Sequence, residues 1–190
     1  MTTKVQTAVQ DLLRGGVVLH PTETCYGLAV DIFNKGAVTK LYRLKGMSLD
    51  KPVSILVRDL EEAQEYGKFN EKAIFLAMEH WPGPLTIIVP RTDLVPKWIN
   101  FGVDSIGIRV SSNKKARELV EAFGGPLTTT SANKHGEPQA YTVQTVLDQG
   151  LIPDYILDSG QIGPTPPSTI VKVEGEDLKV IRKGPVDLNF

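Results

Sequence analysis

Cysteine occurs once in the chain, at Cys25, which excludes an internal disulfide framework and a multi-cysteine zinc site. A reducing compartment is the expectation, and the cytoplasm the natural one. Histidine is scarce as well: His20, His80 and His135 are scattered, no His-x-x-x-His pair exists, and a zinc enzyme is disfavoured. An excess of one charge is missing, because 21 basic and 22 acidic residues leave a net charge of -1. There is no global attraction to nucleic acid or to an anionic membrane, and any such partner must be met through a local patch. The N-terminal stretch has no basic segment followed by an apolar run, and no later run approaches membrane-spanning length, so neither secretion nor membrane insertion is expected. Walker A and Gly-x-Gly-x-x-Gly sequences are also lacking, which disfavours P-loop and Rossmann nucleotide sites.

What is present is enough for one substantial core: 190 residues, 41% of them hydrophobic. Val5, Ala8, Val9, Leu12 and Leu13 share one helical face, ended by Gly15-Gly16. Val17 to Leu19 reads as a strand stopped by Pro21, which puts the polar turn Pro21-Thr22-Glu23-Thr24 at a strand end. Val38, Leu41 and Tyr42 mark a second helix, left through the polar stretch Lys45 to Lys51 before a strand at Val53 to Val57. Asn70 caps a helix running to about His80, and strands are expected at Leu85 to Val89 and Ile106 to Val110. A helix through Ala116 to Phe123 closes at Gly124-Gly125, and Thr128 to Asn133 is a strand running into a polar loop. Three short strands end the chain, at Tyr155 to Leu157, Thr169 to Val171 and Lys179 to Ile181. Interleaved strands and helices with a strand-rich terminus predict a single α/β domain with a mixed sheet.

Four polar clusters fall at strand ends or adjoining loops, where open α/β sheets build their sites: Thr22-Glu23-Thr24, Lys45 to Lys51, Thr130-Ser131-Ala132-Asn133, and Ser168-Thr169 with Arg182. They offer hydroxyls, an amide and cations, a set suited to carboxylate and phosphate oxygens. Each has a plainer reading. Thr22 and Thr24 fit a turn, Ser131 and Asn133 a ligand-free loop, Lys45 and Lys51 a solvated surface, Arg109 a structural ion pair, and Arg182 an exposed strand. Cys25 lies in the first cluster with no marked general base, which fits a buried, unreactive thiol.

Taken in order, these clusters resemble the YrdC family. The matching strings are Pro21-Thr22-Glu23-Thr24-Cys25-Tyr26-Gly27-Leu28, Lys45-Gly46 with Lys51-Pro52-Val53, Trp81-Pro82-Gly83-Pro84-Leu85-Thr86, and Gly107-Ile108-Arg109-Val110. Thr130-Ser131-Ala132-Asn133 matches the Ser-x-Asn motif, Pro167 to Val171 the Ser-Thr strand, and Ile181-Arg182-Lys183-Gly184 the terminal Arg-x-Gly. The resemblance implies a twisted α/β domain of the YrdC/RibB-like type over residues 5–187, with an open concave cleft and without the second domain of the family's longer form. The activity it implies is a nucleotidyltransferase: L-threonine and bicarbonate or CO2 give a carbamate that attacks the α-phosphorus of ATP, forming L-threonylcarbamoyladenylate and pyrophosphate. A separate transferase complex then uses the adenylate to modify adenosine in tRNA. By the same resemblance, Thr22, Thr24 and Lys45 hold threonine, while Ser131, Asn133, Ser168, Arg182, Arg109 and Lys51 hold the nucleotide. Lys45 and Arg182 act in catalysis, and Mg2+ arrives with ATP rather than in a protein-built site.

The chain departs from the family pattern where Lys-x-Arg becomes Lys45-Gly46-Met47, since a thioether supplies none of the donors of a guanidinium. Ala29 replaces a glycine and His135 a serine beside the expected contacts. Two competing readings stand. One is a non-catalytic RNA-binding or ribosome-maturation module using Lys40, Arg43, Lys45 and Lys51; the other is a carbamoyl-transferring domain of the hydrogenase-maturation type.

Overall fold

The computed structural model describes residues 3–188. In chain order they form α1 (Lys4–Leu13), β1 (Val18–Pro21), β2 (Tyr26–Ala29), α2 (Lys35–Lys45), β3 (Ser54–Leu56), α3 (Leu60–Tyr66), α4 (Glu71–His80), β4 (Leu85–Pro90) and β5 (Ser105–Arg109). They continue with α5 (Lys114–Phe123), β6 (Leu127–Ser131), α6 (Val143–Asp148), β7 (Tyr155–Ile156), β8 (Thr169–Glu174) and β9 (Asp177–Arg182). The expected elements are present, with two shifts that matter. Lys45 is the last residue of α2 rather than the first of a loop, because the helix runs until Gly46, at φ 61°, takes the left-handed cap. Pro21 ends β1 opposite Tyr26 instead of lying beyond it. β2, α3 and α6 were not expected: α3 and α6 have seven and six residues, too few for a helical period to register.

The strands form one open mixed sheet in the order β7-β1-β2-β6-β3-β5-β4-β8-β9. Pairing is parallel for β1–β7, β3–β5 and β4–β8 and antiparallel elsewhere. One face is apolar across the sheet. Leu28, Ile55, Ile108, Ile87 and Val171 bury against Leu41 and Tyr42 of α2, Ala63 of α3, and Leu76 and Ala77 of α4.

The opposite face changes character along the strands. At one end Val18, Ala29, Leu56 and Leu127 pack under Ala8 and Leu12 of α1 and Ala116, Leu119 and Val120 of α5. Two residues further on, and therefore on the same face, β2 carries Gly27, β3 carries Ser54 and β6 carries Thr129 and then Ser131. The register aligns Gly27 with Ser131 and Ser54 with both Thr129 and Gly107. Helices bury the apolar half because water is expelled there; no such gain exists over the polar half, which stays uncovered.

Candidate anion-binding cleft

The uncovered half of the sheet is the floor of an open cleft of about 150 Å³. A drug-sized ligand site is typically two to six times larger, so the recess suits a small polar molecule, and a larger ligand extends across its mouth. The walls bring together residues far apart in sequence: Thr22 and Thr24, Arg109, Ser131, Ser168 and Arg182. Gly107 leaves room for the side chains of the floor, since a Cβ there would lie 2.5 Å from Ser54 Oγ and 3.3 Å from Thr86 Cγ2.

The turn between β1 and β2 is built by Thr22. Its buried hydroxyl accepts from the amides of Thr24 and Cys25, both at 3.1 Å, and donates to the Cys25 carbonyl at 2.7 Å. Those bonds commit the Thr22 hydroxyl to shaping the turn. Thr24 Oγ1 accepts from an Arg109 guanidinium nitrogen at 3.2 Å. Cys25 lines the cleft but is only 6% exposed, and burial pushes its thiol pKa up, which fits an inert thiol.

Arg109 is anchored as the plainer reading of the sequence anticipated, by an ion pair of 2.9 Å with Glu23. Burial raises the Glu23 pKa, but the Arg109 charge and a hydrogen bond donated by Ser111 more than offset it, so Glu23 stays below the usual carboxylate range. Arg109 both lines the cleft and is structurally paired, and its Nε–H is buried without a partner among the described residues. Across the cleft, Arg182 grips Ser168 twice, Nε to the carbonyl and a terminal nitrogen to Oγ, each at 3.0 Å. The Ser168 hydroxyl also meets Thr86 Oγ1 at 2.9 Å. Burial and the Arg109 charge both lower the Arg182 pKa, so the two guanidiniums are close enough to feel one another. Gly184 makes this arrangement fit: a Cβ there would lie 2.3 Å from the Pro167 carbonyl oxygen and 2.4 Å from the Thr169 amide.

Three expected site residues stand outside the cleft lining. Lys45 is 4% exposed, and its Nζ donates to the carbonyls of Ser131 and, at 2.9 Å, Asn133. Burial lowers its pKa to about 8. Asn133 is buried with its amide nitrogen donating to the carbonyls of Lys134 and Glu137, at 3.0 and 2.6 Å, and its Oδ1 has no described partner. Lys51 is exposed, although Pro52 and Val53 beside it reach the cleft. Met47 packs, half-buried, against the core rather than facing the cleft. Sequence reasoning missed Ser54, Thr86 and Thr129, which line the cleft from β3, β4 and β6. The signal was available for Ser54 and Thr86, each a polar residue in an otherwise apolar strand, whereas Thr129 sits in a run of threonines that gives no such contrast.

Fold and cleft together define an α/β protein with a cleft lined by guanidinium and hydroxyl groups on the half-covered face of an open mixed sheet. The model of the Sua5_yciO_yrdC family, described as telomere recombination, matches residues 10–184, and the chain belongs to that family. A putative threonylcarbamoyl-AMP synthase of Methanocaldococcus jannaschii is 36% identical over 180 residues, covering 94% of this chain and 84% of that protein. Among solved structures, P. abyssi Sua5 complexed with L-threonine superposes with a TM-score of 0.89 at 30% identity, covering 95% of this chain. This chain spans 54% of the P. abyssi one, so about half of that protein has no counterpart here. E. coli YciO gives a TM-score of 0.88 at 28% identity, with 96% of this chain and 90% of YciO covered.

Proposed function

We propose that the protein is a threonylcarbamoyl-AMP synthase, joining L-threonine, bicarbonate or CO2, and ATP. The threonine amine adds to the one-carbon unit with loss of water or a proton, giving a carbamate. A carbamate oxygen then attacks the α-phosphorus of ATP, and the bond to pyrophosphate breaks. Such a step asks for positioning and charge stabilisation and for no nucleophilic side chain, consistent with the absence of any marked base for Cys25. The observation that carries the reading is the convergence of Thr24, Arg109, Ser131, Ser168 and Arg182 on one hollow, since two guanidiniums and three hydroxyls suit the anions of these substrates.

In this reading Thr24 faces the amino acid, and Arg109, which the resemblance put on the nucleotide, joins it there through its hydrogen bond to Thr24, while Ser131, Ser168 and Arg182 face the phosphates. Thr22 shapes the threonine end, Asn133 shapes the loop on the nucleotide side, and Lys51 meets ligand only beyond the recess. No group of three His, Cys, Asp or Glu side chains among the described residues is placed to hold a metal, so Mg2+ would enter on the triphosphate. The downstream partner is a transferase that carries the threonylcarbamoyl group to tRNA.

The RNA-binding alternative loses two of its four cations. Lys40 pairs with Asp154 at 2.5 Å, and Lys45 is buried on two carbonyls. The deciding experiment is pyrophosphate release from Mg-ATP by the purified protein. Release that needs both L-threonine and bicarbonate is the expected result. Release that needs carbamoyl phosphate instead would move the protein to the carbamoyl-transfer class, and none above background would remove the synthase reading.

A further inference from the structure

We infer that Lys45 is a positioning residue, which fixes Ser131 from behind by clamping the carbonyls of Ser131 and Asn133 and does not itself bind substrate. The inference rests on the proposed function for its kinetic arm but not for its structural one. Lys45 sits in the last turn of α2, where the helix end favours a cation, and its backbone carbonyl accepts from the His135 amide at 3.0 Å. The residue therefore holds the 131–135 loop at three points: two carbonyls through Nζ and one amide through its own carbonyl.

The loop is the hinge between structure and site. Ser131 closes β6 beside Gly27 and lines the cleft, whereas Lys45 lies behind it, outside the lining and almost wholly buried. A swing of Nζ into the cleft would strip two carbonyls of a charge-assisted donor and bury nothing in exchange. Held in place, the clamp fixes the Ser131 backbone, and with it the hydroxyl presented to a phosphate. This is how a supporting contact sharpens a binding geometry without touching the ligand. It also fits the lost arginine two residues on: once Met47 turns into the core, α2 and its cap serve the loop rather than the anion.

Two measurements test it. The first is amide exchange on the ligand-free protein. Ala132, whose amide donates to the Tyr26 carbonyl, and His135, whose amide donates to Lys45, should lose at least about tenfold in protection in Lys45→Met, while β4 amides such as Ile87 keep theirs. Unchanged protection at 132 and 135 overturns the inference. If Lys45→Met does not fold, the wild type answers instead. The titratable group facing Nζ is Cys25, and the ammonium discharges near pH 8. Protection at 132 and 135, corrected for intrinsic exchange, should then fall relative to β4 between pH 7 and 9, and a flat ratio overturns the clamp.

The second measurement is a double-mutant cycle on pyrophosphate release. If Lys45 acts through Ser131, then Lys45→Met with Ser131→Ala should be no slower than Ser131→Ala alone; multiplying losses would make Lys45 a substrate ligand. A wild type that releases no pyrophosphate sinks the synthase reading and leaves the exchange experiment to decide the clamp.

Discussion

His20 lies on β1 with no exposed surface, and among the described residues its imidazole has one hydrogen-bond partner, the Pro21 carbonyl 3.1 Å from Nδ1. That bond places the proton on Nδ1 and leaves Nε2 a bare acceptor, with no partner among the described residues, 3.0 Å from where a Gly27 Cβ would stand. Burial is the largest influence on the ring; the Pro21 carbonyl and Glu23 favour the charged form and Arg109 opposes it. The net result is a pKa lowered from 6.5 to about 4. The unfolded chain therefore binds a proton at a higher pH than the folded one. Stability from this group is complete above pH 6.5 and drains away as pH falls toward 4. A shift of this size corresponds to about 3 kcal/mol in full, of which about 2 kcal/mol is lost by pH 5. His20→Phe keeps a flat ring of similar size and removes the titration. Urea unfolding of both proteins at pH 7 and pH 5 should show the wild type losing about 2 kcal/mol more than the variant across that interval, with equal m-values. Parallel losses would mean that His20 is not held neutral by the fold.

Two further outcomes follow from close contacts. Gly184→Ala should cost about 2 kcal/mol in denaturant unfolding, because the obstructing atoms at Pro167 and Thr169 are backbone, and it should weaken pyrophosphate binding by calorimetry as Arg182 is pushed off Ser168. Met47→Arg should leave pyrophosphate release no faster and lower thermal stability by about 1 kcal/mol, since the side chain packs against the core; a gain in rate would show that the position reaches the anion after all.

Much of this architecture can be read directly from residue patterns. Asn70 and the apolar spacing after it mark α4, and the alternation of Ile106 and Ile108 with Gly107 and Arg109 marks a strand with one polar face. β2 escaped because its four residues, Tyr26 to Ala29, include a glycine and directly follow a turn signal. The site residues were legible as types, but the direction of each side chain was not. Lys45 and Asn133 carry the chemistry of anion ligands, yet a helix one residue longer than expected and a folded-back loop commit their donors to carbonyls. For Lys45 the choice depends on a contact between residues nearly ninety positions apart, which no local pattern encodes, and for Asn133 on a turn of the 133–137 loop whose path the residue types do not specify.

The distribution of charge in the cleft links fold to chemistry. Arg109 brings a cation whose charge is matched by Glu23, so it adds directional donors more than net charge. The described hydrogen bonds of Arg182 go only to Ser168, which leaves its charge available to a ligand. With Lys45 behind the wall, Lys51 outside it and Met47 turned inward, the recess holds roughly one unmatched positive charge among many hydroxyl and amide dipoles. Free ATP, with about four negative charges, would be poorly compensated there, whereas the magnesium complex carries about half as many. On the proposed function, a chain with almost no net charge and, among the described residues, no group of three metal-holding side chains would share the neutralisation of a triphosphate with an ion that the nucleotide brings. The protein's own contribution is the geometry of the half-covered sheet that sets Arg109, Ser131 and Arg182 around one floor.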